Sequence, residues 1–347
     1  MADTMKALNL HAVGDLRYED VPMPVPEADE VLVRVRAAGI CGSDIQRVLT
    51  KGTYHFPTIP GHEFSGEVVG LGRDADPALM GRRVAVFPLL PCRECEPCGL
   101  EEYAQCKNYD YYGSRRDGGF AEYLAVKVWN LVFVPDNVSF EEAAMCEPCA
   151  VALHALGQFG VKKDSTVLIF GAGTIGLLLA KVAKMKGASK VILADIDDKK
   201  LAFANKLGFE NTVNSLEDPT EAILALTLGR GADLVVEGAG VSVTYENCMK
   251  CAATFGEVVL MGNPIKEMTL SQKAYWEILR KQLTLRGTWN SAYSQKQNDW
   301  QEAVNCMPEL DLLPMITGRH SLSEGIRPFE HMADRANFTV KEMFVND

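Results

Sequence analysis

Residues 166–176 read Thr166-Val167-Leu168-Ile169-Phe170-Gly171-Ala172-Gly173-Thr174-Ile175-Gly176. The β-branched and apolar run Thr166 to Phe170 predicts a buried strand. The three glycines after it follow the spacing GxGxxG, in a strand–turn–helix setting. The first permits a tight turn, the second lets backbone approach a pyrophosphate, and the third lets helix and strand pack closely. Leu178, Lys181, Val182 and Met185 then repeat at helical spacing, and Gly187 suits the residue just past the helix end. The helix start offers free N–H groups to phosphates, which makes Gly171, Gly173, Thr174, Ile175 and Gly176 candidate cofactor contacts. A second strand, 190–194, ends at Asp195, 19 residues after Gly176. A carboxylate there can accept from the two ribose hydroxyls of NAD. The competing reading is a glycine turn beside a surface aspartate that binds nothing. Asp195, Asp197 and Asp198 would repel a 2′-phosphate, and no arginine directly follows Asp195, so NAD is expected over NADP. Lys199 and Lys200 weigh the other way.

Working outward, a helix is expected over 198–207, with Gly208 after it. Further strands are expected at 233–236, 257–261 and 283–286. Buried strands alternating with helices describe a doubly wound parallel α/β sheet over 151–287. Residues 1–150 differ, with short apolar runs at 31–35, 67–69, 84–87 and 131–134 punctuated by Gly and Pro. They predict an irregular, barrel-like β domain. The last 60 residues return to short mixed elements, and periodicity leaves open whether they complete the first domain or form a tail.

The whole chain has 347 residues and a net charge of −11. That balance argues against a nucleic-acid partner, which requires a basic face. It also means that an anionic substrate needs a local cationic clamp. No stretch reaches the roughly 18 apolar residues of a membrane span, and the first residues do not resemble a signal peptide. A cytoplasmic protein is expected, in which the ten cysteines are thiols or metal ligands before they are disulfides.

Four of those cysteines, Cys92, Cys95, Cys98 and Cys106, are spaced C-x2-C-x2-C-x7-C. Four thiolates this close suit a structural tetrahedral zinc site that pins an otherwise irregular loop. An iron–sulfur cluster or two disulfides are the alternatives. The final seven-residue gap and the missing Cys-Pro ending depart from the bacterial ferredoxin run. Glu94, Glu96, Glu101 and Glu102 interleave the cysteines, unlike a nucleic-acid zinc ribbon.

A second candidate metal set is Cys41-Gly42-Ser43-Asp44 with Gly61-His62-Glu63, followed by Glu147-Pro148 near the change of fold. Taken singly, each residue is more often core than ligand. With the four-cysteine loop and the glycine motif in this order, the chain resembles the zinc-containing medium-chain alcohol/polyol dehydrogenases along essentially its whole length. The resemblance implies a GroES-like β-rich catalytic domain (1–150 with 288–347) and an NAD-binding Rossmann domain (151–287), with substrate bound between them. It implies two zinc ions per chain. The catalytic one would be held by Cys41, His62 and Glu147, with Glu63 behind them or visiting the metal. Glu147 stands where classical alcohol dehydrogenases carry cysteine, and Cys146 and Cys149 flank it as alternatives. Ser43 would relay the proton from the substrate hydroxyl, its other reading being a local turn bond. A homodimer or homotetramer is implied, with the last strand near 283–286 supporting edge pairing.

The stretch 109–123 contains Ser114-Arg115-Arg116-Asp117-Gly118-Gly119. An arginine fork can bind a phosphate monoester bidentately, so Arg115 and Arg116 are candidate substrate contacts, and Tyr54 a weaker one. The alternative is that the arginines pair with Asp110 or Asp117. The expected substrate is a phosphorylated sugar alcohol oxidised at a secondary hydroxyl, with unphosphorylated polyols as the runner-up. A dinucleotide-binding redox sensor without catalysis is the reading from a different class.

Overall fold

The strand read at Thr166–Phe170 forms with those bounds in the computed structural model, which describes residues 3–264 and 266–346. It lies inside a six-stranded, all-parallel sheet. In chain order the strands are Thr166–Phe170, Lys190–Asp195, Thr212–Asn214, Ala232–Glu237, Ala252–Leu260 and Thr284–Gly287. Across the sheet they run 3-2-1-4-5-6, the doubly wound order in which ligands bind beyond the strand C-termini at the reversal point. Every residue of Thr166–Phe170 is buried, which is why the run is uniformly apolar rather than alternating.

Helix Thr174–Met185 follows directly, with seven buried residues along its core face. It stops where Gly187 takes φ +96° and its N–H bonds the Lys184 carbonyl at 3.0 Å. Asp198–Lys206 forms as the next helix. Helices after Asp195 that were not picked out by periodicity include Thr220–Leu226, Ser242–Cys251 and Gln272–Lys281. The first is barely two turns. The second mixes β-branched and polar residues of low helix propensity. The third carries Tyr275, Trp276 and Leu279 on an exposed face. The strand expected at 257–261 begins earlier, at Ala252, and shifts register against its neighbour before Glu257.

Contacts divide the chain into two units. One is Pro148–Ser291; the other joins the residues up to Glu147 with those from Ala292 onward. The second of these is built on a seven-stranded sheet whose central strand, Glu30–Gly39, is buried along nearly its whole length. One edge of that strand pairs antiparallel with Glu63–Leu71. The other pairs first with Tyr123–Lys127, then with Lys341–Val345. The late segment is therefore part of the sheet rather than a tail. Phe120 lies edge-on to Phe329 and Phe344 at centroid distances of 5.7 and 5.1 Å, closing the core under the sheet. Helix Asp299–Leu310 adds Trp300, 1% exposed, against Phe87 at 5.3 Å. No helix among the described residues is long and apolar enough to cross a membrane.

Candidate active site and metal centres

Two strand ends and a helix start assemble the first cluster. Cys41 caps helix Gly42–Gln46, just past the end of Glu30–Gly39. Glu63 begins the neighbouring strand, with His62 one residue before it. Their ligand atoms, Cys41 Sγ, a His62 ring nitrogen and a Glu63 carboxylate oxygen, lie within 4.8 Å of one another. Strand Glu30–Gly39 ends in a glycine for a steric reason. A Cβ on Gly39 would stand 2.4 Å from Glu63 Oε2 and 2.8 Å from Lys341 Cε.

Two residues unassigned by the sequence reading complete this centre. Asp44 is fully buried, accepts the Cys41 N–H at 3.1 Å, pairs with Arg47 and faces His62 Nδ1 at 3.4 Å. Lys341 is 1% exposed; its Nζ pairs with Glu63 and donates to the Ile40 carbonyl at 3.2 Å. Asp44 lay within the quoted motif, so its signal was present. Lys341 showed only as a cation beside Glu342 in a short stretch near the C-terminal end, and its partner lies 278 residues away.

The electrostatics describe a site built around positive charge. Burial works against the imidazolium of His62, but Asp44 and Cys41 outweigh it and hold its pKa well above the ordinary value. Burial pushes Glu147 up to about 7, with Glu63 and Asp44 adding to the rise and His62 and Lys341 opposing it. At Lys341 burial disfavours the charge, and Glu63 and Cys41 override it. Glu147 is thus buried and electrostatically tied to the cluster, although the tight three-residue group holds Glu63 instead. Cys41, Asp44, Glu63 and Glu147 gather around His62, with Arg47 and Lys341 as the other cations. The acidic groups outnumber the cations, and His62 Nδ1 is a buried atom without an aligned hydrogen bond. A divalent cation fits this donor set: it neutralises the surplus and displaces the extra proton from His62. Asp44 then keeps the imidazole oriented, the usual task of a carboxylate behind a metal-bound histidine.

The four-cysteine loop makes the second group, its sulfurs also within 4.8 Å of one another. Cys95 Sγ lies 3.5 Å from Cys98 Sγ and 3.8 Å from Cys106 Sγ. A tetrahedron with metal–sulfur bonds of 2.3 Å has edges of about 3.8 Å, so the cage has the size zinc needs. A disulfide would bring sulfurs to about 2.05 Å, and these cysteines are free; the two-disulfide alternative is set aside. Backbone N–H groups of Lys107 and Cys98 pull the Cys95 thiol down to about 6, while burial and its sulfur neighbours push Cys98 up to about 12. Lys296 ties the loop to the domain body through Glu101 and Glu102.

In the Rossmann unit Gly171 takes φ +106°. A Cβ on Gly176 would lie 1.8 Å from the Gly171 carbonyl oxygen, so helix and turn touch there. Gly173 caps helix Thr174–Met185, whose first residues are Thr174 and Ile175. Asp195 accepts the Ala172 N–H at 2.7 Å and the Asp197 N–H at 3.0 Å, one on each oxygen. It is held against the glycine turn, with a lone pair left on each oxygen.

The substrate candidates separate. Arg116 leans toward Asp110 at 3.4 Å, the pairing that the sequence left open. Arg115 is stacked between the rings of Tyr54 and Tyr109, at 4.3 and 4.4 Å, and donates to Tyr54 Oη at 3.4 Å. Ser43 is exposed and makes no side-chain hydrogen bond among the described residues, so the turn-bond reading of it finds no support.

Comparison with known proteins was made on this geometry. Residues 27–136 match the family of the alcohol dehydrogenase GroES-like domain, and residues 174–309 match the zinc-binding dehydrogenase family. The galactitol 1-phosphate 5-dehydrogenase of Escherichia coli K12 is 36% identical over 337 residues, 96% of this chain and 97% of that protein. A sorbitol dehydrogenase of Bacillus subtilis 168 is 34% identical over 75% of each chain. A crystal structure of galactitol-1-phosphate dehydrogenase from Escherichia coli superposes with TM-score 0.91 at 36% identity, covering 99% of this chain and all of that one. A protein assigned as a zinc-binding dehydrogenase in Sinorhizobium meliloti 1021, bound to NADP, gives TM-score 0.91 at 31% identity, again over 99% and 100%.

Proposed function

Because the chain belongs to the zinc-type medium-chain alcohol dehydrogenase family, we propose that it moves a hydride from a secondary hydroxyl of a sugar-alcohol phosphate to NAD, converting galactitol 1-phosphate to tagatose 6-phosphate. The dehydrogenase reading is carried by the Cys41–His62–Glu63 cluster, with Glu147 tied to it electrostatically, a thiol, imidazole and carboxylate donor set that suits a divalent ion. Cys41, His62 and Glu147 would hold the catalytic zinc, with Glu63 beside them, and the four loop thiols a structural one. When bound, zinc supplies a Lewis acid toward the substrate hydroxyl and the dinucleotide supplies the hydride acceptor. The protein's own groups do the rest. Lys341 balances Glu63 and keeps that carboxylate from crowding Glu147. Ser43, unpaired and exposed two residues after Cys41, passes the hydroxyl proton to water. Asp195, fixed by two backbone N–H groups, accepts from the ribose hydroxyls and repels a 2′-phosphate, which favours NAD.

The phosphorylated substrate is supported by the match along the chain to galactitol 1-phosphate 5-dehydrogenase. A second reading, oxidation of plain polyols, draws on the sorbitol dehydrogenase match and on Arg116 being engaged by Asp110. Initial rates with galactitol 1-phosphate, galactitol, sorbitol and xylitol, each with NAD and NADP, decide between them. The phosphorylated substrate is expected to lead by about two decades in kcat/KM, roughly 2.7 kcal/mol, with NAD ahead of NADP. Equal or faster turnover of an unphosphorylated polyol would leave the second reading standing.

A homodimer belongs to the same proposal. Strand Thr284–Gly287 ends the parallel sheet with one edge unpaired, and the helix before it exposes Tyr275, Trp276 and Leu279. An open edge beside apolar side chains invites pairing with a second copy. Sedimentation equilibrium should give at least twice the 38.1 kDa chain mass, and Leu285→Pro should lower it. A wild-type monomer at micromolar concentration would remove this part of the proposal.

A further inference from the structure

Helix Gly42–Gln46 runs on into a wider, π-type turn, Arg47–Lys51. Such turns inside helices concentrate at functional sites. Ser43, Arg47 and Lys51 stand four residues apart in succession, which places them on one face. All three line a cavity of about 370 Å³, together with Gln46, Thr53 and Tyr54. No carboxylate lines it, in a chain whose net charge is −11.

The polar groups around this cavity are unequally committed. Arg47 is paired with Asp44, behind His62. The Thr53 hydroxyl donates to the Ser114 carbonyl. Tyr54 accepts from Arg115 and so has its own hydrogen to donate. The ammonium of Lys51 has no hydrogen-bond or ion-pair partner among the described residues. Eight residues of helix separate the Cα atoms of Ser43 and Lys51 by roughly 12 Å. A helical side chain leans back toward the helix start, which brings the ammonium closer to Ser43. A six-carbon chain can bridge that gap, with its reacting secondary hydroxyl one carbon in from one end and a phosphate at the other.

We propose that Lys51 and the Tyr54 hydroxyl bind the phosphate monoester of the substrate, and that Arg47 adds its charge from behind. Arg115 serves by stacking: between Tyr54 and Tyr109 it fixes the ring that carries the donor. The phosphate clamp then lies on the helix that begins at Cys41, rather than on the arginine pair singled out in the sequence. This assignment rests on the polyol-phosphate reading above.

The test uses zinc-loaded, full-length wild type, Lys51→Met and Lys51→Arg. It reads kcat/KM for galactitol 1-phosphate and for galactitol, inhibition by inorganic phosphate, and KM for NAD. In Lys51→Met the ratio of the two kcat/KM values should fall at least tenfold, mainly through KM for the phosphorylated substrate. Inorganic phosphate should inhibit it less, and Lys51→Arg should recover most of both effects. An unchanged ratio and unchanged phosphate inhibition in Lys51→Met would overturn the assignment while leaving the polyol-phosphate reading intact. A larger rise in KM for NAD than for the phosphorylated substrate would overturn it too, by giving the cation to the dinucleotide phosphates. A wild-type ratio near one would bring down the polyol-phosphate reading, and this assignment with it.

Discussion

Cys41→Ala is expected to lower kcat by about a thousandfold or more, roughly 4 kcal/mol, and to take metal content from two zinc ions per chain to one. Cys41 caps its helix and is one of the three ligand atoms within 4.8 Å. Without its sulfur, the cluster loses one of the donors that a divalent ion needs. The remaining donors lose the geometry that leaves one position open for substrate. The variant's folding should hold, because Cys41 is only partly buried and helix Gly42–Gln46 keeps its Asp44 contacts. Two zinc ions per chain, or activity within tenfold of wild type, would show that the cluster is not the catalytic centre. Glu147→Gln provides a second reading of the same centre. It should cost less zinc affinity if Glu63 takes its place, and as much as Cys41→Ala if Glu147 is the ligand.

Cys95→Ser should remove the other zinc, with a different signature. The loop 92–106 has little regular structure besides the short turns Glu96–Gly99 and Tyr103–Gln105. Arg93 and Glu101 both sit at φ +61° within it, a conformation that non-glycine residues adopt only when held. Freed of its metal, the loop should become the first site of proteolytic cleavage. Losing about 3 kcal/mol from a unit of this size lowers Tm by roughly 6–12 °C. Metal analysis of the wild type should find zinc without the visible absorbance of an iron–sulfur cluster. A protease-resistant loop and an unshifted Tm in Cys95→Ser would mean that the four thiols hold nothing.

Much of this was legible in the sequence because the signals were local. Thr166–Phe170, its glycine turn and the following helix lie within 20 residues, and each has a backbone or packing reason to be where it is. The four-cysteine spacing likewise pointed to four sulfurs gathered together, and they lie within 4.8 Å of one another. The helix at Ser242–Cys251 was illegible because its periodicity is weak and packing buries five of its residues, whereas Gln272–Lys281 carries a helical period that the reading passed over. Lys341 was illegible for a different reason. A lysine beside Glu342 carries no mark of the distant carboxylate it will meet, and nothing local pairs position 341 with position 63. The arginine pair illustrates a third reason: residue type shows capacity to bind phosphate, while the neighbours that each guanidinium meets, Asp110 for Arg116 and two tyrosine rings for Arg115, come only with the fold.

The distance along the chain between Glu63 and Lys341 has a consequence for how the protein is made. The charge partner of Glu63 leaves the ribosome 278 residues after it, and all of Pro148–Ser291 is synthesised in between. Domains fold as units during synthesis, from the N-terminal side first. The parallel sheet can therefore be complete while Glu63 still lacks its charge partner and the central strand has one edge half open. The last stretch translated closes that edge and brings the Lys341 ammonium to Glu63 in one step.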